Sequence, residues 1–442
     1  LHKKYLKELN KKLIVENKEV NVNTEVMEHQ QPKKVKYIDL FCGLGAFHTA
    51  FNRNNFLQNE IKYTCVLACD INEGVRNIYE ENYGIKPEGD INKINIDTMP
   101  DFDILCAGFP CQPFSNAGKK STFNHDKGLL FDEIMRLIKN HKPKIMFLEN
   151  VKHILKVGKS KEENKLNPKK HGPVMDYILQ KLDSNGYRVQ LFNMSPHEYG
   201  IPQQRERIYF VCIHKSIHKG KRIKLTIPKT NVINLNKFIQ EKKDIDQKYF
   251  ATGDVLNALN AWEEMVKIFE VGEKISPTIM VNEFNKNYTP QEFSNLKQWR
   301  QDYITKNKPL YKKYKTHWDE WCKKHEKILK RREIYAKLEW QVGKIKENDS
   351  IFNYFIQLRQ SGIRVKKSKF FPTLVAMTQT PIYGKEKRHI TPRECARLQS
   401  FPDSFILHDD DKQCYKQFGN SVNVENVYNV IVSTLKEYSD IF

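Results

Sequence analysis

Five short apolar runs between residues 35 and 213 place the strongest constraint on how this 442-residue chain can fold. They are VKYIDLF (35–41), YTCVLACD (63–70), DFDILCAG (101–108), KIMFLEN (144–150) and RIYFVCI (207–213). Helix-like segments such as LFDEIMRLIKNH and VMDYILQKLDSNG stand between them. Continuous apolar strands that alternate with helices are typical of parallel sheets covered on both faces. The pattern therefore predicts an α/β fold with a doubly wound, mostly parallel sheet.

Changes in composition and in the apolar pattern divide the chain into four segments. Residues 1–34 are polar and rich in Lys and Asn, and they are interpreted as a basic N-terminal arm. Residues 35–214 carry the alternating strands and helices of a main domain. Residues 215–372 are irregular, helical and highly charged, which favours a second, smaller domain. Residues 373–442 turn compact again and end in an amphipathic helix pattern, so we expect them to rejoin the main domain.

The charge of the chain indicates a polyanionic partner. A formal net charge of +21 is typical of nucleic-acid-binding proteins, although a solvated basic surface produces the same number. Between residues 306 and 346, basic residues are interleaved with aromatic ones: Tyr311, Tyr314, Trp318, Trp321, Tyr335 and Trp340. Two interpretations stay open for this stretch. One is phosphate contact combined with base stacking, and the other is a helical region with a Lys-rich outer face.

Cysteine usage and hydropathy narrow the class of protein. The nine cysteines lack a framework-like pattern and no second Cys/His pair follows Cys65 and Cys69, which favours core thiols over disulfides or a metal site. No run approaches the roughly 18 apolar residues of a membrane helix, and no secretory signal is visible. We therefore expect an intracellular protein without a membrane partner.

The first strand leads into a glycine-containing turn, FCGLGAFHTAF (41–51). Gly43 and Gly45 permit a tight turn and close approach of a ligand to the backbone, although His48 replaces the third glycine of a GxGxxG pattern. Asp70 ends the second strand, where doubly wound folds place a carboxylate for ribose hydroxyls. The pattern favours an adenosine-containing cofactor over a plain strand–helix turn.

A cysteine and a glutamate follow the next two strands. Cys111 comes after the strand that ends near Gly108, and Glu149 ends the strand that follows. If these strands are neighbours, the thiol and the carboxyl face one pocket. A thiol nucleophile beside a carboxylic acid suits attack on an electron-poor ring. The alternatives are a buried cysteine and a glutamate that caps a turn.

Six motifs give the chain a resemblance to a known family. FPCQPFS, LENV, IPQQRERIYF, TPRECARLQSFPDSF and QFGNSVNVENV stand in the order found in C5-cytosine DNA methyltransferases, and YIDLFCGLGAF is similar to that family's first cofactor motif. The resemblance covers residues 36–214 and 372–442. It implies a restriction–modification enzyme that transfers a methyl group from S-adenosyl-L-methionine to C5 of a flipped-out cytosine in a specific duplex DNA sequence. It also implies that residues 215–372 are the target-recognition domain.

The resemblance implies a role for each matching residue. Cys111 would add covalently to C6, Glu149 would supply a proton at N3, and Arg205 and Arg207 would bind the base or hold Cys111 and Glu149 in place. The implied cofactor contacts are Phe41, Gly43, Gly45, Asp70, Ile71, Asp90, Ile91, Pro110, Leu130, Asn420, Ser421 and Val422. The implied DNA contacts are Gln112, Ser115, Lys119, Lys120, Gln203, Thr373 and Leu374. No metal is implied. Asp70 and Ile71 depart from the family, which more often has Glu followed by an aromatic residue.

Two other functions are compatible with part of this evidence. One branch of the family methylates tRNA with the same catalytic motifs, but its Cys-Phe-Thr element is missing from the recognition region here. A catalytically inactive relative that only binds DNA would not need the four catalytic residues. We expect duplex DNA as the partner of a monomer, with any cognate restriction endonuclease acting separately.

Overall fold

The computed structural model describes residues 33–53, 61–110, 130–160, 163, 166–167, 170–228, 233–275, 278–367, 369–376 and 379–442. Residues 34–442 form one compact unit that contains two six-stranded sheets. Most of the predicted N-terminal arm, residues 1–32, lies outside the described residues.

The first sheet is built from the runs that the sequence singles out. Its strands are β1 (Lys33–Leu40), β2 (Ile61–Cys69), β3 (Ile104–Gly108), β4 (Ile145–Val151), β5 (Tyr187–Met194) and β6 (Arg207–His214), in the order β2-β1-β3-β4-β6-β5. Strand β3 lies between β1 and β4 and is parallel to both. Strand β6 runs antiparallel to its neighbours β4 and β5. The mostly parallel α/β class is confirmed, with β6 as the exception.

Helices cover both faces of this sheet because alternate residues of each strand are buried on opposite sides. On one face, Tyr37 and Cys106 pack with helices α1 (Ala46–Phe51) and α12 (Val424–Tyr438). On the other face, Ile38 and Leu105 pack with α3 (Leu130–His141) and α4 (Pro173–Ser184). Helix α2 (Glu73–Tyr83) joins the first of these cores. The doubly wound arrangement therefore includes a helix from the far end of the chain.

The second sheet lies in the stretch that the sequence describes as irregular and helical. Its strands are β7 (Ile279–Met280), β8 (Lys337–Gln341), β9 (Phe355–Arg359), β10 (Gly362–Lys366), β11 (Ile382–Tyr383) and β12 (Arg388–His389), in the order β12-β11-β9-β10-β8-β7. The accompanying helices are α5 (Gly253–Val266), α6 (Pro290–Ser294), α7 (Gln298–Lys313), α8 (Lys315–Lys324), α9 (Glu326–Arg331), α10 (Pro392–Leu398) and α11 (Asp411–Asn420). Strands β11 and β12 follow the predicted boundary at residue 372, so the sheet is shared between the two predicted segments. The separate second domain stays a prediction.

The aromatic residues of the basic stretch are core residues. Trp318, Trp321, Tyr335 and Trp340 are buried in one apolar cluster together with Trp262 from α5. Enclosed rings cannot stack on bases, so the stacking interpretation is wrong for these four side chains. The alternative, a helical region with a Lys-rich outer face, agrees with the exposure of most lysines of α7, α8 and α9.

Candidate active site

A cavity of about 480 Å³ lies at the carboxyl ends of the central strands. Its wall combines the turn after β1, the ends of β2, β3 and β4, and the loop after α11. Eight residues predicted to contact a cofactor line it: Phe41, Gly43, Asp70, Ile71, Pro110, Asn420, Ser421 and Val422. Glu149, Arg205 and Arg207 line the same cavity. The fold thus brings the predicted binding and catalytic side chains to one place.

The turn after β1 is held in a backbone conformation that few side chains tolerate. Phe41, Gly43 and Gly45 have φ values of 53°, 52° and 76°. A Cβ atom on Gly45 would lie within 3.0 Å of the ring and hydroxyl of Tyr83. The Tyr83 hydroxyl donates to the carbonyls of Leu44 and Gly45, at 2.9 and 3.0 Å. The Tyr83 side chain therefore packs against the turn and stabilises it. Gly45 is needed for this packing and does not line the cavity.

The carboxylate of Asp70 is placed by two backbone amides. Its oxygens accept from the N–H groups of Gly43, at 3.0 Å, and Asn72, at 2.9 Å. Burial raises the pKa of Asp70, while the bonds from the Asn72 and Gly43 amides oppose the rise. A carboxylate with two bonds retains acceptor capacity for hydroxyl groups. The neighbouring Ile71 side chain is 77% exposed, which leaves an apolar surface at the cavity rim.

Three further residues predicted to contact a cofactor stand outside the cavity wall. The Asp90 carboxylate accepts from the Asn92 N–H at 3.0 Å and caps a short turn. Ile91 is buried in the apolar core, and Leu130 begins α3 and packs against the same core. Their contacts with a cofactor stay predictions.

Glu149 and Arg207 form an ion pair at the floor of the cavity. Arg207 Nε lies 3.1 Å from Glu149 Oε1, and both side chains are largely buried. Gly108 is the register partner of Glu149 on β3, which confirms that the two strands are neighbours; the position of the Cys111 thiol beside Glu149 stays a prediction. Glu149 Oε2 lies on the side of Gly108, 3.6 Å from the position that a Cβ atom on this glycine would occupy. Burial raises the pKa of Glu149, and the positive charges of Arg207 and Arg205 oppose the rise.

Arg205 is buried, and its side chain connects two later segments of the chain beside the cavity. Its guanidinium donates to the carbonyls of Leu374 (2.7 Å), Gly419 (2.8 Å) and Ser421 (2.8 Å). Burial, with repulsion from Arg207, lowers the pKa of Arg205 to about 9, so the group remains charged at neutral pH. Of the two predicted roles for Arg205, these contacts favour holding the site over binding the base.

A second cavity, of about 560 Å³, adjoins the first and shares Val151, Arg205 and Arg207 with it. Thr373 lines this second cavity, and its hydroxyl donates to the Gln204 carbonyl at 2.5 Å. Gln203 is fully buried and donates its amide to the Leu398 carbonyl at 3.0 Å. The predicted DNA contact of Gln203 is wrong because protein encloses the side chain, and the buried Leu374 side chain is likewise a packing residue.

The remaining predicted residues lie outside the part of the chain that the structure describes. They are Cys111, Gln112, Ser115, Lys119 and Lys120. Pro110, the residue immediately before Cys111, lines the cavity.

Comparison with known proteins decides the family. The family described as C-5 cytosine-specific DNA methylase matches residues 35–436. The chain belongs to this family. It is a DNA (cytosine-5)-methyltransferase, an enzyme that methylates C5 of cytosine in DNA.

Several relatives extend along almost the whole methylase. The Type II methyltransferase M.BanI of Aneurinibacillus aneurinilyticus is 31% identical, over 90% of this chain and 95% of the relative. The Type II methyltransferase M.HhaI of Haemophilus parahaemolyticus is 28% identical, over 92% and 95% of the two chains. The crystal structure of the S. pombe Dnmt2 methyltransferase covers 91% of this chain and 99% of its own with a TM-score of 0.52. At 18% identity, this similarity is evidence for a shared fold only.

The methylase cavity also contains residues that sequence reasoning missed. Asn150 lines it and donates its amide to the Phe109 carbonyl at 2.9 Å, which ties the end of β4 to the end of β3. Gln413, Lys416 and Gln417 of α11 line the opposite wall. The signal for Asn150 was its place in LENV, directly after Glu149. Gln417 begins the motif QFGNSVNVENV, whereas Gln413 and Lys416 carried no local signal because the fold brings α11 to the cavity from more than 250 residues away.

The described residues of the methylase contain neither a candidate metal site nor a candidate membrane-spanning helix. Within the described ranges, no three His, Cys, Asp or Glu side chains are grouped so that they could hold a metal ion. None of the helices that the structure describes has the length and apolar character needed to cross a membrane. Seven of the eight described cysteines are buried, in agreement with core thiols.

Proposed function

We propose that this methylase transfers the methyl group of S-adenosylmethionine to a cytosine flipped out of a specific duplex DNA sequence, through a covalent bond between Cys111 and C6. The observation that supports this most is the shared wall of the first cavity. One end of that wall carries the Asp70 carboxylate, and the other carries Glu149, Arg207 and Pro110. Cofactor and base would therefore lie side by side.

The reaction begins with addition to the cytosine ring. The thiolate of Cys111 forms a bond to C6, and the displaced electron pair makes C5 nucleophilic. S-adenosylmethionine, when bound, supplies the electrophilic methyl group. Methyl transfer to C5 would leave S-adenosylhomocysteine as the second product. Water then takes the proton from C5, the electron pair of that C–H bond forms the C5–C6 double bond, and the C6–S bond breaks to release the thiolate. The proton on N3 returns to Glu149. Cys111 is regenerated, and no external oxidant or reductant is needed.

Glu149 supplies the acid for the addition step. Arg207 contacts Oε1, so Oε2, on the side of Gly108, is the oxygen assigned to carry the transferable proton. Protonation of cytosine N3 stabilises the negative charge that addition at C6 would otherwise leave on the ring. The raised pKa of Glu149, caused by burial and opposed by Arg207 and Arg205, favours the acid form that this step requires.

The cavity wall fits the chemical groups of S-adenosylmethionine. Asp70 provides an acceptor for ribose hydroxyls, and the exposed side chain of Ile71 provides an apolar surface for an adenine ring. The left-handed turn at Gly43 lets the backbone approach the cofactor closely. Asn420, Ser421 and Val422 close the opposite side.

The substrate is duplex DNA with one specific recognition sequence. A base within a stack cannot reach a recessed cavity, so the cytosine must be flipped out at a cost of about a few kcal/mol. The net charge of +21 suits the DNA backbone. Because M.BanI and M.HhaI are both named Type II methyltransferases, we place this enzyme in a restriction–modification system.

Trapping of the covalent intermediate tests this proposal. A duplex that carries 5-fluorocytosine in a recognised site has no C5 proton to lose, so the adduct should accumulate when S-adenosylmethionine is present. Denaturing electrophoresis should show a protein–DNA band for the wild type and for Cys322→Ala, a half-buried thiol in α8, but no band for Cys111→Ala. An undiminished band with Cys111→Ala would contradict the assigned nucleophile.

A further inference from the structure

Three strands of the second sheet have one apolar and one polar face. The apolar face of β8, β10 and β9 belongs to the buried core that contains Leu338, Ile356 and Ile363. The opposite face carries one apolar side chain, Phe355 at the start of β9, and otherwise Gly362 and the polar side chains of Lys337, Glu339, Gln341, Gln357, Arg359, Arg364 and Lys366. The alternation follows from the two-residue period of a strand.

The register of the strands sets these polar side chains in rows. Arg364 on β10 is paired with Glu339 on β8 and with Gln357 on β9. Lys366 is paired with Gln341 on β8. Paired positions on neighbouring strands lie about 5 Å apart, and alternate residues of one strand lie about 7 Å apart. The face therefore presents guanidinium and amide groups at spacings comparable to the edge of a base pair.

Positive charge is in excess on this face. Arg359, Arg364 and Lys366 face a single carboxylate, Glu339, whose Oε2 lies 2.8 Å from Arg364 Nε. The Arg359 guanidinium is half-buried and makes no hydrogen bond or ion pair with any described residue. Burial, together with repulsion from Arg364, lowers the pKa values of Arg359 and Lys366. Donors in such surroundings are stabilised by acceptors from outside the protein.

Two glutamines on the face have already used their amide donors. The Gln357 Nε2 donates to the Gln379 carbonyl at 3.1 Å, and the Gln341 Nε2 donates to Glu339 Oε1 at 2.6 Å. Their carbonyl oxygens remain as acceptors. A phosphate group offers only acceptors and gains nothing from such oxygens, whereas the edge of a base pair offers both acceptors and an amino donor.

The polar face lines a recess of about 240 Å³, and this recess extends toward the active site. Its described lining includes Arg359, Arg364 and Gln357 and contains no acidic residue. Thr373 lines both this recess and the second cavity. The second cavity in turn shares Arg207 with the first cavity, which contains the predicted cofactor contacts. Lys366 Nζ lies 3.4 Å from Gln204 Oε1 at the same junction. The recess is thus one cavity away from the Glu149–Arg207 pair.

We propose that this recess reads one G·C base pair near the target cytosine, with Arg359 as its specificity-determining residue. The Arg359 fork donates to O6 and N7 of guanine. Arg364 is held by Glu339, so Arg359 is the guanidinium of this recess that is available to a base. The inference rests on the proposed function, since it assumes that duplex DNA lies along the three cavities.

A selection from a random duplex library tests the inference. Protein is incubated with S-adenosylmethionine and the library, the retained duplexes are sequenced, and 5-methylcytosine is mapped in the same molecules at base resolution. The wild type should select a G·C pair at a fixed position other than the methylated pair. Arg359→Lys retains the charge without the fork, so its preference at that position alone should fall by about tenfold or more. Arg359→Ala should behave likewise.

Arg331→Lys is the matched control, because it makes the same change at an arginine on an exposed helix, where Arg331 pairs with Asp254 away from the recess. It should keep the wild-type preference. If Arg359→Lys retained the same preferred sequence with uniformly weaker binding, a phosphate contact would replace the proposed reading. A wild-type preference without a second G·C pair would equally overturn it. Selective retention without methylation would leave the recess intact and refute the proposed catalysis instead.

Discussion

Two buried carboxyl groups of the first sheet, those of Asp39 and Glu149, differ in the groups that surround them. Glu149 has Arg207 as a counter-charge, whereas neither oxygen of Asp39 has a hydrogen-bond partner among the described residues. Burial raises the pKa of Asp39 well above its ordinary value, and the negative charge of Asp70 adds to the rise. Burial therefore favours the uncharged form of Asp39, whereas at Glu149 the positive charges of Arg207 and Arg205 oppose this effect.

Replacement of Asp39 by Asn should stabilise the protein at neutral and higher pH. The folded pKa lies above the unfolded one, so the folded protein must bind a proton that the unfolded chain releases above about pH 4. The cost grows as the pH rises from there toward the folded pKa, and Asn removes it. Thermal unfolding of Asp39→Asn should show a raised midpoint at pH 8 and a smaller gain at pH 5. The exposed Asp97→Asn should show neither, and a midpoint lowered at both pH values would indicate that the carboxyl makes a needed bond.

Removal of the acid at Glu149 should affect chemistry more than binding. Glu149→Gln keeps the shape of the side chain but cannot donate a carboxylic proton, so single-turnover methyl transfer should fall by about 10²–10⁴-fold. The wild-type rate should also decline as the pH rises through the elevated pKa of Glu149, since the acid form is consumed. Anisotropy with labelled duplex should show DNA binding within a few-fold of wild type. A variant with full turnover would contradict the acid role.

Among the helices and strands, those with long apolar patterns could be predicted and short or mixed ones could not. The central strands β1, β3 and β4 were readable because burial on both faces makes them continuously apolar. The direction of β6 was hidden, since a buried strand has the same pattern in either direction. Strand β5 was missed because its sequence, YRVQLFNM, alternates at a sheet edge. The second sheet was missed because several of its strands contain only two residues.

The active site divides in a similar way. Residues within motifs, such as Asp70 and Glu149, were predictable because strand ends in this fold meet at one edge. Gln203 and Arg205 share a motif with Arg207 but point into the protein, toward Leu398 and Ser421. Their orientation depends on packing against residues almost 200 positions or more later in the chain, which a local pattern cannot encode.

Substitution of the cofactor-turn glycine should destabilise the fold through a contact with α2. Gly45→Ala combines a positive φ with overlap of the Tyr83 ring, whereas Gly220 has a similar φ of 68° and nothing within 4 Å of its Cβ position. Gly45→Ala should therefore lower the free energy of unfolding by about 2–4 kcal/mol, and Gly220→Ala by only about 1 kcal/mol. Urea unfolding of both variants measures the difference. Equal losses would show that backbone conformation, not the Tyr83 contact, dominates.

Across the molecule, the last 70 residues connect the two sheets. Helix α12 packs on the first sheet, and β11 and β12 extend the second. The loop after α11 closes the first cavity, where Arg205 donates to the carbonyls of Gly419 and Ser421. The cofactor cavity is therefore completed only when the chain returns to the first sheet.

The charge of the whole molecule predicts a strong dependence of DNA binding on salt. If about 6–10 phosphates are contacted, affinity for duplex DNA should fall by roughly 10³–10⁵ between about 50 and 200 mM salt, because bound counterions are released on association. Anisotropy titrations at several salt concentrations give the slope. A nearly flat response would show that the surplus of basic residues faces away from DNA.

Nucleoside mass spectrometry after incubation with S-adenosylmethionine, on duplex DNA and on bulk tRNA in parallel, tests the proposed reaction most directly. We predict 5-methylcytosine in the DNA and none in the tRNA with the wild type, and none in either with Cys111→Ala. 5-Methylcytosine in the tRNA alone, or equal amounts in DNA with Cys111→Ala, would contradict the substrate or the nucleophile assigned here.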